Sequence, residues 1–171
     1  MKSLFILIFN FSVTLASAQD IDIHNSSVSF AVRNMKMRTV EGTFTGMQGE
    51  VNFDENNISN TTIDVCIDAN TVNTDNEKRD AHLRKEDFFG VEQYPKICFV
   101  SNFVEKQEDA YLIVGKLTLH GVTKTITVPL SFENSTLTGS FSIERNDYDL
   151  GPNGGFMVGK DVEITISCKL L

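Results

Sequence analysis

Apolar and polar residues alternate along most of this chain with a period of two. Val28, Phe30 and Val32 are separated by small residues, which is the pattern of a strand with one buried face. The same alternation recurs at residues 40–44, 51–53, 63–67, 97–103, 111–119, 126–132, 137–143 and 162–166. Many short strands at regular spacing, with polar turns between them, predict an all-β sandwich or barrel and do not choose between the two.

One segment departs from this period. Residues 79–87 have the spacing of a helix. Asn73 or Thr74 can cap that helix, and Glu77 follows Thr74 at the position where the acid of a capping box belongs. We therefore predict one short helix, within residues 74–90, that connects two strands and lies across one mouth of a barrel.

The N-terminus has the three parts of a secretory signal peptide. Lys2 supplies the positive charge, residues 4–9 open an apolar core that continues through Phe11, Val13 and Leu15, and residues 16–18 are an Ala-Ser-Ala cleavage site. The apolar core is too short for a transmembrane helix. We predict that residues 1–18 are removed, which leaves a single domain at residues 19–171 in the periplasm or outside the cell.

Charge narrows the classes of partner. The whole chain has a formal net charge of −8, and removal of the positive Lys2 would leave −9. Such an acidic domain is not expected to bind nucleic acid or anionic membrane surfaces. No other apolar run approaches the length of a membrane span. The charge fits an exported protein whose ligand is neutral or is held by apolar contacts.

Two runs of residues resemble the YceI-like family. Residues 79–89 read Arg-Asp-Ala-His-Leu-Arg-Lys-Glu-Asp-Phe-Phe and are followed at 94–99 by Tyr-Pro-Lys-Ile-Cys-Phe. Residues 115–124 read Gly-Lys-Leu-Thr-Leu-His-Gly-Val-Thr-Lys. The resemblance covers nearly all of residues 19–171. It implies an antiparallel lipocalin-like β-barrel of about eight strands with one short crossover helix, exported from the cytoplasm, that binds an isoprenoid-type lipid.

The inward-facing apolar residues are the candidate ligand contacts. A small barrel is either just filled by its side chains or holds one ligand, so the two phenylalanines at residues 88–89 would be a plug or a lid. Gly42 and Gly115 share the parity of the inward residues, which marks a sharp bend or the close approach of another group, such as a ligand. For a cavity, we predict ligand contacts from Phe30, Phe44, Val65, Leu83, Phe88, Phe89, Phe99, Leu117 and Phe141.

The energetics of burial favour a long chain as the ligand. Each buried CH₂ contributes about 0.8 kcal/mol, so one five-carbon prenyl unit contributes roughly 3–4 kcal/mol gross. Association costs on the order of 4–15 kcal/mol. Without a charged anchor, one or two units would bind poorly, and a polyprenyl chain, an isoprenoid quinone or a long acyl chain is required.

Motifs for catalysis and cofactor binding are missing from the sequence. It contains no Gly-x-Ser-x-Gly elbow, no His-Glu-x-x-His, no Cys-x-x-Cys and no phosphate-binding glycine loop, so we predict neither an enzyme nor a bound cofactor. No metal is predicted either, because His82 with Asp80 and Asp87 does not have a recognised ligand spacing. Arg79 and Arg145 are candidates for binding a lipid head group. The alternative is that each forms a polar clamp with a nearby aspartate, fixing a helix and a loop.

Alternation along the predicted strands places the three cysteines on different faces of the sheet. Cys66 and Cys98 alternate with apolar residues and point away from the core, whereas Cys168 shares the parity of the core. We predict a disulfide between Cys66 and Cys98 on adjacent strands of the outer face, with Cys168 a free thiol. The alternative is that all three are simply small apolar residues.

The favoured function is that of an exported protein that holds a long isoprenoid-type chain inside a β-barrel. Its partner would be this apolar ligand, without nucleic acid and without stable membrane insertion, and a homodimer is left open. One alternative is a barrel with a filled core that acts through its surface in a stress response. A second alternative is an enzyme that acts on a small apolar substrate inside the barrel.

Overall fold

The computed structural model describes residues 18–34, 38–153 and 158–171. The predicted signal peptide, residues 1–18, therefore lies outside the described residues except for Ala18. In these three ranges, no helix is long and apolar enough to cross a membrane.

Within the described residues, nine strands form one antiparallel sheet. The strands are β1 (Ser27–Asn34), β2 (Arg38–Phe44), β3 (Gln48–Asn52), β4 (Thr62–Asp68), β5 (Lys96–Gln107), β6 (Ala110–Leu119), β7 (Val122–Glu133), β8 (Thr136–Glu144) and β9 (Val158–Lys169). They pair in the order β2-β1-β9-β8-β7-β6-β5-β4-β3, and the sheet curls into a half-barrel. The predicted all-β, antiparallel, lipocalin-like architecture is confirmed, with nine strands where about eight were expected.

The two end strands of the sheet are each covered in part by a short bridge. Thr43 N–H in β2 donates to the Asn73 carbonyl at 2.9 Å, and Asn73 N–H donates back at 3.0 Å. At the other end, Gln19 N–H donates to the Val51 carbonyl of β3 at 2.7 Å. These bonds pair backbone groups that an edge strand otherwise leaves open. They also place the chain leading into the helix along the edge of β2.

The helix α1 (Glu77–Leu83) lies between β4 and β5, in the predicted region. Its N-cap is Asn76, nearer to the helix than either predicted cap, and the Asn76 side chain accepts a hydrogen bond from Arg79 N–H at 3.0 Å. Thr74 does not cap the helix, because its backbone N–H and its hydroxyl both donate to the buried Asp80 carboxylate. The capping-box interpretation of Thr74 is therefore wrong.

Two irregular segments meet at one end of the half-barrel. The first, called the lid segment, comprises residues 77–94, that is α1 and the turns that follow it. The second, called the β8–β9 loop, begins with the 3₁₀ turn Arg145–Tyr148 and continues to residue 153. Gly151 N–H donates to the Asp87 carbonyl at 2.7 Å, which joins the two segments.

The close approach predicted at two inward glycines is made by aromatic rings and not by a ligand. A side chain at Gly42 in β2 would overlap the ring of Phe30 on the neighbouring strand. A side chain at Gly115 in β6 would overlap the ring of Phe99 on β5. Both glycines therefore make room for phenylalanine rings that fold across the inner face of the sheet.

Candidate ligand-binding site

A cavity of about 830 Å³ occupies the interior of the half-barrel. Its walls are the inner faces of the strands, and its mouth lies at the lid segment and the β8–β9 loop. Each residue predicted above as a ligand contact lies on its surface: Phe30, Phe44, Val65, Leu83, Phe88, Phe89, Phe99, Leu117 and Phe141. The volume is that of a site for a drug-sized or larger apolar ligand.

Strand β9 contributes a row of wall residues that the sequence prediction did not assign to the site. Val162, Ile164, Ile166 and Cys168 follow one another along the cavity. Their alternation is present in the sequence and correctly predicts a strand. Alternation alone does not distinguish a side chain that faces a cavity from one in a packed core. The sequence therefore contains no pattern that identifies these four residues as cavity wall.

Phe88 and Phe89 cover the mouth of the cavity. The Phe89 ring packs edge-on against Phe44, with centroids 5.1 Å apart. Phe88 packs against the backbone of Gly151, where an added side chain would meet its Cε1 atom at 2.7 Å. Phe88 also contacts the ring of His82, with centroids 5.0 Å apart. Because the cavity continues behind both rings, they do not fill the interior as a plug would.

His120, in the turn between β6 and β7, connects the lid segment to the β8–β9 loop. Its Nε2 lies 3.0 Å from the Glu86 carbonyl oxygen and its Nδ1 lies 3.2 Å from the Tyr148 carbonyl oxygen. The Tyr94 ring packs edge-on against it, with centroids 5.0 Å apart. No local sequence pattern indicates this role, because the two carbonyl partners of His120 are 34 and 28 residues away along the chain.

Arg145 is fully engaged by the β8–β9 loop. Its side chain donates to backbone carbonyls of the loop and of the start of β9: Leu150, Pro152, Val158 and Gly159. The residue is 4% exposed, and burial lowers the pKa of the guanidinium below its usual value. Arg145 therefore acts as a clamp on the loop. Asp147, the expected clamp partner, pairs instead with Lys124 at 3.0 Å.

Arg79 is half-buried and lines the mouth of the cavity. Its Nε donates to the Thr74 hydroxyl and its Nη2 to the Thr74 carbonyl, both at 2.7 Å. Its link to Asp80 is indirect and runs through Thr74. Its Nη1 has no hydrogen-bond partner among the described residues, so one charged donor remains at the mouth.

The three residues considered for a metal site do not converge. His82 Nε2 and Asp87 Oδ2 form a pair 3.1 Å apart, in which both side chains are largely exposed. Asp80 is buried and bonded to Thr74. In the part of the chain that the structure describes, no group of three or more His, Cys, Asp or Glu side chains could hold a metal ion.

Cys66 and Cys98 are joined by a disulfide at directly opposed positions of β4 and β5, with Cα atoms 4.1 Å apart. They share the strand parity of the exposed Asp64 and Asp68. Cys168 is a free thiol, 5% exposed, in the cavity wall. Burial raises the pKa of this thiol to about 11, and a weaker opposing effect comes from a hydrogen bond with Ser26.

The chain belongs to the YceI-like family, since the model of the YceI-like domain matches residues 20–170. A UPF0312 protein of Photorhabdus laumondii subsp. laumondii is 33% identical over 165 residues, which are 95% of this chain and 79% of that protein. A UPF0312 protein of Yersinia enterocolitica is 32% identical over 165 residues, with the same coverage of 95% and 79%.

Solved structures have the same fold. BcnA of Burkholderia cenocepacia superposes with a TM-score of 0.80 at 25% identity, over 87% of this chain and 98% of BcnA. The YCEI protein of Campylobacter jejuni gives a TM-score of 0.69 at 21% identity, over 100% and 99% of the two chains. A polyisoprenoid binding domain from Saccharophagus degradans, implicated in plant cell wall breakdown, gives 0.68 at 17% identity, over 91% and 97%.

Proposed function

We propose that this protein binds a long isoprenoid-type lipid inside its half-barrel and acts as an exported carrier. The observation that carries the proposal is the cavity of about 830 Å³. Its strand walls are apolar, and the charged side chains among the described lining residues stand at the mouth. The name of the Saccharophagus degradans domain, which describes polyisoprenoid binding, supports an isoprenoid as the chain.

Binding fits the lining better than catalysis. The charged or ionisable side chains Arg79, His82 and Asp87 stand at the mouth, away from the strand walls. Deeper in the cavity, the Cys168 thiol has a pKa of about 11 and is neutral near pH 7. The surface-acting alternative assumed a filled core, and the open volume argues against it.

The lipid would enter with its chain along the strand walls and its head group at the mouth. There, the Nη1 of Arg79 offers a charged hydrogen bond to a phosphate, carboxylate or carbonyl oxygen. Arg145 is excluded from this role because loop carbonyls occupy its donors.

An oxidising compartment is the proposed location of the protein. The disulfide between Cys66 and Cys98 supports it, because such bonds persist outside the cytoplasm. Intact-mass measurement on a periplasmic extract tests this location. A chain that starts at Gln19 supports export, and a chain that retains residues 1–18 contradicts it.

A pair of matched variants on β5 tests the binding site. Phe99 lines the cavity, whereas Phe103 is 50% exposed on the outer face. Phe99→Arg would place an unpaired charge in an apolar wall and should abolish binding of a long-chain prenyl alcohol. Phe103→Arg should bind like the wild type. Binding is measured by lipid extraction and mass spectrometry, and far-UV circular dichroism monitors the fold.

Two outcomes would contradict the proposal. If the wild type retains no prenyl alcohol and no long acyl lipid, the carrier function is wrong. If folded Phe99→Arg binds as well as Phe103→Arg, the ligand lies outside the cavity.

A further inference from the structure

We propose that an aromatic floor closes the end of the cavity opposite the mouth and limits the bound isoprenoid to about five or six five-carbon units. The floor consists of Phe53, Tyr111 and Phe132. This inference rests on the proposed function, and it adds a property that the function does not require, namely a preferred chain length.

The three rings pack on one another and fill space that would otherwise extend the cavity. The Phe53 ring meets Tyr111 edge-on with centroids 4.9 Å apart, and it meets Phe132 at 4.5 Å. All three belong to the same apolar cluster as the deep wall residues. None of them is among the residues that line the cavity. They therefore stand beyond its end.

Strand register places the floor opposite the mouth. In the β6–β7 pair, Leu119 faces Val122 beside the His120 turn, at the mouth. At the far end of the same pair, Tyr111 faces Leu130. Phe132 follows two residues after Leu130 on β7, and it faces Leu137 of β8.

Polar groups seal the outer side of the floor. The Tyr111 hydroxyl donates to Glu55 Oε1 at 3.4 Å, and Lys106 Nζ lies 5.4 Å from the centre of the Tyr111 ring. Phe53 and Tyr111 are 6% and 5% exposed. A lipid chain that passed through this end would displace packed rings and emerge among charged groups. Among the described residues, the packed rings therefore close this end of the cavity.

The volume sets the number of units. If each non-hydrogen atom of the ligand takes roughly the 30 Å³ that a water molecule occupies in the liquid, 830 Å³ holds about 28 atoms. That equals five or six isoprene units of five carbons. Further units would remain at the mouth, in contact with the lid segment or water, and would add little affinity.

A competition experiment tests the limit. Wild-type protein is incubated with an equimolar mixture of all-trans prenyl alcohols of three, four, five, six and nine units in non-ionic micelles. The bound fraction is extracted and quantified by mass spectrometry. Because the micelle already shields the chain from water, binding is expressed as the distribution of each alcohol between protein and micelle. We expect this distribution to favour the protein up to the fifth or sixth unit. It should turn toward the micelle for the nine-unit chain, because the units that remain outside the cavity are solvated better there.

The floor itself is tested with Phe132→Ala, which removes one ring, about as much carbon as one isoprene unit. The chain-length optimum should move up by about one unit, and Phe132→Leu should move it in the same direction by less. Phe103→Ala, the same change on the outer face, should leave the optimum unchanged. Comparing each variant with the wild type cancels the partition of the alcohols into micelles.

The outcomes separate this proposal from the function on which it rests. Continued tightening from six to nine units in the wild type, or an unchanged optimum in folded Phe132→Ala, overturns the floor. If Phe132→Ala does not fold, an unchanged optimum in Phe132→Leu does the same. If no prenyl alcohol binds to the wild type, the proposal of an isoprenoid ligand fails first, whereas the floor is contradicted only when prenyl alcohols do bind.

Discussion

At the scale of single residues, the reactivity of the Cys168 thiol measures how accessible the interior of the half-barrel is. It faces Leu137 across the β8–β9 pair and lines the cavity with its thiol almost fully buried. The thiolate is the reactive form of cysteine. Burial therefore slows the reaction of this thiol with a labelling reagent in two ways. It blocks access of the reagent, and it raises the pKa of the thiol to about 11.

Thiol labelling should reflect both effects. At pH 8, a shift of the thiol pKa from 9.0 to about 11 lowers the thiolate fraction about a hundredfold, so native protein should label at least that much more slowly than denatured protein. The labelling rate should rise with pH until about pH 11, and a bound prenyl alcohol should slow it further. Mass spectrometry after denaturation without reductant should find one labelled cysteine. Rapid native labelling, or three labelled cysteines, would contradict the structure.

Sequence parity predicted which residues point inward, but not what they do there. Phe99 and Phe132 have the same alternating pattern, yet Phe99 lines the cavity and Phe132 lies in the floor. Arg79 and Arg145 were equivalent head-group candidates, and only the fold shows that loop carbonyls surround Arg145. These differences depend on residues that are distant in sequence, which no local pattern contains.

At the scale of elements, the lid segment is attached to the barrel by polar contacts at two places. Near its base, Arg84 donates to the carbonyls of Asn70 and Val72 at 2.9 and 2.8 Å. At its far end, the two ring nitrogens of His120 lie within hydrogen-bond distance of the carbonyl oxygens of Glu86 and of Tyr148 in the β8–β9 loop. A neutral imidazole donates one hydrogen bond, and a protonated one donates two. His120 therefore contacts both the lid segment and the β8–β9 loop at the mouth.

His120→Asn should loosen the lid without unfolding the barrel. Asparagine tolerates the left-handed backbone of this position, where φ is 51°, but its shorter side chain cannot reach both carbonyls. We expect a prenyl alcohol to dissociate roughly two- to tenfold faster, since one lost hydrogen bond is worth about 0.5–1.5 kcal/mol. Amide exchange should also accelerate at residues 85–90. Stopped-flow displacement and hydrogen exchange measure the two effects.

His24→Asn provides the control for that experiment. His24 is exposed in a turn before β1, and the same substitution there should change neither rate. An unchanged dissociation rate in His120→Asn would show that the lid does not control release.

The helix illustrates why element boundaries were harder to predict than element types. Its place between β4 and β5 follows from one break in a two-residue period. Its cap was misplaced because the side chain of Thr74 is shared between Asp80 and Arg79. A capping-box pattern records residue types and cannot show that such a competing hydrogen-bond network exists.

At the scale of the whole molecule, the curled sheet ends at β2 and β3, and the disulfide lies close to the β3 end. The sequence predicted the strands and their antiparallel arrangement. It did not predict how the sheet ends, because bridges such as those of Gln19 and Asn73 pair single residues without a strand pattern.

Removing both disulfide cysteines should destabilise the protein. The bond closes a loop with a sequence separation of 32, for which the chain-entropy model gives about 3–4 kcal/mol. We expect the double variant Cys66→Ala, Cys98→Ala to lose that much free energy of unfolding in urea, followed by circular dichroism. Reductant should destabilise the wild type by a similar amount and leave the double variant unchanged. A loss below about 1 kcal/mol would show that the bond adds little to stability.

The position of that disulfide also affects what happens if the entrance to the cavity is cut by a protease. The whole lid segment lies between Cys66 and Cys98. A backbone cut anywhere in it would create two new chain ends at the mouth, and both pieces would stay in one covalent molecule. Such a nicked protein would lose no mass, and reduction would be needed to separate its halves. Because the lid segment lies inside the loop that this disulfide closes, the entrance could be opened irreversibly while the barrel remains one covalent molecule.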